Sequence, residues 1–390
     1  MQYDFDSPTD RSRSDSVKWA RGVFRYRRED IIPMWVADMD FPAPEPVVEA
    51  LKTRAGHPVY GYSYIGMSLC NSITERLDLK YGWRVNPEWL CFTPGVVPAL
   101  KAVVRAFTRP GDGVIVQPPV YPPFMSSATR NGCRLGDNPL RYLDGTYEMD
   151  FDDLELRLSD LGVRMMILCS PHNPVGRVWD REELRRLGEM AQRHGVMVLS
   201  DEIHAELVLE GRRHIPFASI SPEFERNSIT CISPSKTFNL SGLSAAVLVI
   251  PDPGLRSRFA EATDGTMGDI NVFGLRAMEV AYRQGDEWLE QVLDYITGNV
   301  EFLLRFFKDR IPRIRAVIPE GTYLVWLDCR DLGIDSGSLD RLFQEAGVGM
   351  MSGEDFGPGG EGFMSINVAC PRSLLEEALQ RIESAVTSLN

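Results

Sequence analysis

From about residue 89 onward, short apolar runs alternate with amphipathic segments, and no other feature narrows the fold as much. WLCF is followed by VVPALKAVVRAF and GVIV; VRMMILC precedes a helix-period stretch from Arg181 to His194; then come VMVLS, SITCI and AAVLVI. Runs this short and this continuously apolar read as strands buried on both faces, with the amphipathic text between them supplying the covering helices. The expectation is an α/β protein with a mainly parallel central sheet.

The flanks read differently. A proline-rich opening, PMWVADMDFPAPEP, predicts an extended arm, and helices are expected around Val47 to Arg54 and Leu69 to Tyr81. Helix-period text resumes at Asn271 to Tyr282 and Glu287 to Asp309, followed by RIRAVI, TYLVWLD, a helix near Leu339 to Ala346, FMSINVA and a last helix from Ser373. With 390 residues, 44% of them hydrophobic, the chain exceeds what one core usually fills. It divides into a large domain over 46–285 and a smaller α+β domain made of 286–390 with the arm 1–45. GPGGEG at 357–362 reads as a mobile loop.

Charge removes two classes of partner. Lys and Arg total 42 against 55 Asp and Glu, a net charge of −13 that repels nucleic acid and anionic lipid. The opening MQYDFDSPTDRSRS has no apolar signal core and no later run is long enough to span a bilayer, so a cytoplasmic protein is expected. The seven cysteines lie singly, without a CxxC pair, which fits reduced thiols better than disulfides or a zinc site.

In an open parallel sheet, ligands sit beyond the carboxyl ends of the strands, so the residues just after each apolar run carry the functional information. WLCF leads into TPGVVPAL, a Gly-containing turn that opens a helix, where free N–H groups can hold a phosphate. VRMMILC leads into SPHNPVG with Asn173, VMVLS into DEIH with Asp201 and His204, and SITCI into SPSKTFN with Ser233, Ser235 and Lys236. Singly, each has an ordinary reading: a surface lysine, a turn glycine, a loop amide, a capping carboxylate. Together they put an amine, a carboxylate, an amide and a phosphate cradle on one rim. That set is what pyridoxal 5′-phosphate (PLP) requires. The carboxylate keeps the pyridine nitrogen protonated, the amide faces the phenolate oxygen, and the lysine forms a Schiff base and afterwards moves protons.

At these residues the sequence resembles the fold-type I PLP-dependent transferases, and within them the MalY/PatB-type cystathionine β-lyase branch of the aminotransferase superfamily. PMWVADMDF, VYGYS, TPGVVPAL, SPHNPVGRVW, SDEIHAEL, SPSKTFNLSGL, PEGTYLVWLD and NVACPRS look like family blocks in family order, over nearly the whole chain. The resemblance implies a homodimer with shared active sites. It makes Lys236 the Schiff-base lysine, pairs Asp201 with the ring nitrogen and Asn173 with the phenolate oxygen, and stacks Tyr121 of QPPVYPPF on the ring. It directs the Val96 and Val97 amides, Ser233 and Ser235 to the phosphate, brings Tyr62 to the neighbouring subunit's phosphate, and puts His204 near the ring. Ala37 of PMWVADMDF, Ser365 and Arg372 are the expected substrate contacts, and no metal is expected, since no second histidine or cysteine lies at ligand spacing.

The chain departs from the family at one place. The family writes its late strand with an arginine that forks onto the substrate's α-carboxylate, whereas this chain reads Gly362, Phe363, Met364, Ser365, Ile366, Asn367. Either Arg372 or another basic group takes over, or the substrate has an altered or absent α-carboxylate, or catalysis has yielded to another role. The leading reading is carbon–sulfur β-elimination giving pyruvate, ammonia and a thiol. An aminotransferase is second, and a PLP-binding regulatory protein is the rival from another class. A dehydrogenase is disfavoured because no strand leads into GxGxxG.

Overall fold

A computed structural model describes residues 2–160, 162–209 and 211–389. The apolar runs form one seven-stranded sheet from β1 (Leu90–Thr93), β2 (Gly113–Val116), β3 (Arg134–Asp137), β4 (Val163–Cys169), β5 (Met197–Asp201), β6 (Ser228–Ile232) and β7 (Ala246–Val249). Its order is β1-β7-β6-β5-β4-β2-β3. Every pairing is parallel except those of β7, which runs antiparallel to both β1 and β6. The inner strands are buried along their length save for Arg164 near the start of β4, which explains their nearly unbroken apolar text. Helix α1 (Val96–Phe107) packs one face with Ala99, Leu100 and Val103, while α2 (Arg181–Arg193) covers the other with Leu184, Leu187 and Ala191.

A second sheet of four strands contains β8 (Arg315–Ala316), β9 (Leu324–Asp328), β10 (Met351–Ser352) and β11 (Phe363–Asn367), in the antiparallel order β8-β9-β11-β10. It packs with the long helix α3 (Asp286–Arg310) and with α4 (Arg372–Thr387). Along α3 the buried residues Trp288, Leu289, Val292, Ile296, Val300, Leu303 and Phe307 recur at helical spacing and form one apolar stripe.

The proline-rich arm is tied to this second sheet region. Ile32 and Pro33 pair in parallel with Val348 and Gly349, and Phe5, Met34, Met39 and Phe41 join the same core cluster as α3 and β9. The GPGGEG stretch is a packed turn. Gly360 is buried, and a Cβ at Gly353 or Gly360 would collide with the other's backbone at about 2 Å, so two glycines are needed for the two chain segments to touch. All seven cysteines are free thiols.

Candidate active site

The rim at the carboxyl ends of the parallel strands gathers the polar residues. Asp201 is the last residue of β5, Asn173 lies in the turn after β4, and Tyr121 follows β2. Lys236 sits on the short helix Pro234–Thr237 directly after β6. Gly95, at φ 122° and ψ 161°, turns β1 into α1 in a conformation open to glycine. Asp201, Asn173, Tyr121 and Lys236 line one cavity of about 160 Å³ with Ala37, Val96, Val97, His204, Ser235 and Ser244.

The start of α1 has the features of an anion site. It has no side-chain cap, and Pro98 carries no N–H, so the Val96 and Val97 amides are the free donors facing the cavity. Asn173 presents a side-chain Oδ1 that is buried without a partner. Such a group costs free energy unless something binds there.

Burial dominates the electrostatics. It raises the Asp201 carboxyl to about 7, opposed by the hydrogen bond from the Ile203 amide (3.1 Å), reinforced by the charge of Glu202 and opposed again by Lys236. Burial also lowers Lys236 from the usual lysine range, against the pull of Asp38 and Asp201. Tyr121 is pushed up to about 12, so its ring stays a neutral phenol, and burial with the charge of Lys236 lowers His204 to about 3, leaving a neutral imidazole. The Lys236 Nζ donates to the carbonyl oxygen of Ala37.

Not every residue singled out from the sequence reaches the cavity. Ser233 is turned away: its Oγ caps the helix of Lys236 by accepting from Ser235 N (3.1 Å) and donates to Ala245 O (2.7 Å). Ser241 and Ser244, which sequence reading passed over, line the cavity beside Ser235. Arg372 is turned toward α3, with Nε donating to Asn299 Oδ1 (2.7 Å) and its guanidinium 4.7 Å from the Phe302 ring centroid. Ser365 is buried in β11 opposite Trp326 and Met351, on the strand face it shares with Asn367. Tyr62 is fully exposed in the extended stretch before the helix Met67–Tyr81, among exposed Val59, Tyr60 and Tyr64.

Other cations near the mouth are already paired. Arg11 binds Asp38 (2.8 Å) and Asp40 (2.6 Å), and buried Lys18 binds Asp40 (2.6 Å). Among the described residues lining the cavity, Lys236 is the sole lysine or arginine. Sequence reading also missed Tyr323, whose hydroxyl donates to Ala37 O at 3.0 Å.

Comparison with known proteins agrees with this architecture. The chain is 43% identical to cystathionine beta-lyase PatB of Bacillus subtilis (strain 168) over 385 residues, covering 98% of this chain and all of that protein. It is 30% identical to protein MalY of Escherichia coli (strain K12), covering 99% and 100%. The crystal structure of cystalysin from Treponema denticola, which contains a pyridoxal 5′-phosphate cofactor, superposes with a TM-score of 0.97 at 34% identity, with both chains covered in full. The model of the family described as aminotransferase class I and II matches residues 29–382. The chain therefore belongs to the aminotransferase class I and II family and has the fold-type I architecture that the family resemblance implied.

Proposed function

We propose that this chain is a PLP-dependent carbon–sulfur β-lyase of the cystathionine β-lyase kind, working as a homodimer. The observation that carries the reading is the convergence of an amine, a carboxyl, an unpartnered amide, a flat aromatic wall and two free helix-start N–H groups on one cavity. These fit PLP group by group. The Val96 and Val97 amides and the Ser235 hydroxyl suit the phosphate, the Asn173 Nδ2 donor the phenolate oxygen, Asp201 the pyridine nitrogen, and the Tyr121 ring the cofactor's face. The names of PatB and of the PLP-containing cystalysin support the choice of reaction and cofactor.

When bound, PLP supplies an electron sink for the charge that develops at the substrate's Cα. The residues of the chain do the rest. Lys236 Nζ, whose burial shifts it toward the neutral amine, takes the Cα proton. The electron pair left behind expels the thiolate at Cβ, breaking the carbon–sulfur bond, and the enamine product hydrolyses to pyruvate and ammonia. A cationic pyridine nitrogen beside Asp201 would offset the burial that now holds that carboxyl up at about 7. Tyr62 and its exposed apolar neighbours form the kind of patch that a second subunit covers, which supports the dimer.

Pyruvate and ammonia released from cystathionine without an added keto acid test the reaction; strict dependence on a keto acid would make the chain an aminotransferase. Ser365 favours one refinement. With no guanidinium among the described residues lining the cavity, recognition of the substrate head group falls to neutral donors such as the Ala37 N–H and the Asn173 amide, and a substrate with an altered or absent α-carboxylate becomes a second reading. A panel of cysteine conjugates and their decarboxylated analogues, ranked by kcat/KM, separates the two.

A further inference from the structure

The Ala37 carbonyl receives two hydrogen bonds, from the Lys236 amine and from the Tyr323 hydroxyl. We propose that Tyr323 is a positioning residue for Lys236: its hydroxyl fixes the backbone carbonyl that holds the lysine's free amine beside Asp201 and Asn173.

The geometry around Tyr323 is built to place that hydroxyl. Thr322, the residue before Tyr323 and two before the start of β9, has φ 69°, a left-handed conformation that β-branched residues rarely adopt. Thr322 is held there by its own N–H on Leu207 O (2.7 Å) and by its Oγ1, which accepts from Leu324 N (3.1 Å). Leu207 in turn donates to His204 O, so the turn that carries Asp201 and His204 also anchors the turn into Tyr323. The tyrosine ring is fully buried and meets the His204 ring edge-on at 6.1 Å.

The arm is clamped on both sides of the shared carbonyl. The Asn367 amide donates to Val36 O (2.6 Å) and Asp38 O (2.7 Å), and Asn239 holds Met39 through its Oδ1 (3.0 Å) and Nδ2 (2.9 Å). Three consecutive carbonyls of the arm are therefore committed, and the middle one is the acceptor for Lys236. A buried lysine on a four-carbon stem has many rotamers, and proton transfer from Cα needs one of them. The carbonyl selects it, and Tyr323 keeps the carbonyl in place.

This inference rests on Lys236 being the cofactor-linked base. The test is Tyr323→Phe in the PLP-loaded protein, which keeps the buried ring and its packing and removes only the hydroxyl's hydrogen bond to Ala37 O. The expected result is a fall in kcat on the order of tenfold with little change in KM. The deuterium isotope effect on kcat from Cα-deuterated substrate should rise, because the proton transfer made by Lys236 becomes slower relative to other steps. As a readout apart from turnover, the visible absorbance should develop roughly tenfold more slowly when PLP is added back to cofactor-stripped variant protein. A hydroxyl that only satisfied its own burial would lower the unfolding temperature and leave the isotope effect and the absorbance rate at their parental values, and that outcome overturns the proposal. Loss of the premise is distinguishable: Lys236→Ala protein that still develops the parental visible band would remove Lys236 from its role whatever Tyr323→Phe does.

Discussion

Replacing Asp201 with asparagine should make the cofactor-stripped protein more stable at neutral and alkaline pH, because the site holds this carboxylate where it is poorly solvated. The carboxyl titrates near 3.8 in the unfolded chain and is raised to about 7 in the fold, mainly by burial. Between those values the folded chain retains a proton that the unfolded chain has released, so stability falls as pH rises through the window and levels off above it. The gap corresponds to at most about 4 kcal/mol. Asparagine keeps an Oδ1 acceptor for the Ile203 amide and cannot ionise, so the variant lacks this slope. Urea unfolding at fixed protein concentration, at about pH 5 and about pH 8, measures it. Between those two pH values the variant should gain on the parent by at most about 2.5 kcal/mol, the rest of the slope lying below pH 5, and PLP affinity should move the opposite way, since the asparagine offers no charge to the pyridine nitrogen. Parallel stability curves for parent and variant across that range would refute the reasoning.

Three further outcomes follow from the same cavity. Lys236→Ala should abolish the visible absorbance of bound PLP and lower β-elimination by about a thousandfold or more, read by spectrum and pyruvate release. Gly95→Ala puts a side chain at φ 122° and should strain the turn by about 1–3 kcal/mol, weakening PLP binding in equilibrium dialysis roughly tenfold with little loss of fold. Ser365→Arg should raise kcat/KM for ordinary α-amino acids by about tenfold if the missing guanidinium limits them; unchanged or lower values would count against that account and for a substrate with a different head group.

The large sheet was legible because its strands are buried on both faces, so their apolar text is continuous and bounded. VVPALKAVVRAF matches Val96–Phe107 residue for residue, opened by Gly95 and followed by Thr108. The strand Arg134–Asp137 was invisible for the converse reason: RLGD is half-exposed at the sheet edge, and it is a strand because Gly113–Val116 pairs with it. The helix Pro122–Thr129 was hidden by prolines and serines, although its prolines sit at the start, where a missing N–H costs nothing. RIRAVI shrinks to the two-residue strand Arg315–Ala316, because only those two residues find partners on β9.

The site divides along the same line. Asn173, Asp201 and Lys236 could be found because parallel strands end on one rim, so residues that follow separate apolar runs are neighbours in space. Within such a segment, side-chain direction decides more than position. In SPSK the first serine turns back to cap a helix, leaving Ser235 and the more distant Ser241 and Ser244 to face the cavity. Nothing periodic joins Ala37 to Tyr323, which meet across 286 positions, one from an arm and the other from the turn into the second sheet. Their contact depends on Asn367 and Asn239 holding the arm and on Thr322 accepting an unfavourable φ, all of them long-range hydrogen-bonding choices. The polar groups that converge on the cavity were therefore written in strand ends, whereas the contact that meets its lysine through Ala37 is written in how the arm and the turn into the second sheet dock against them.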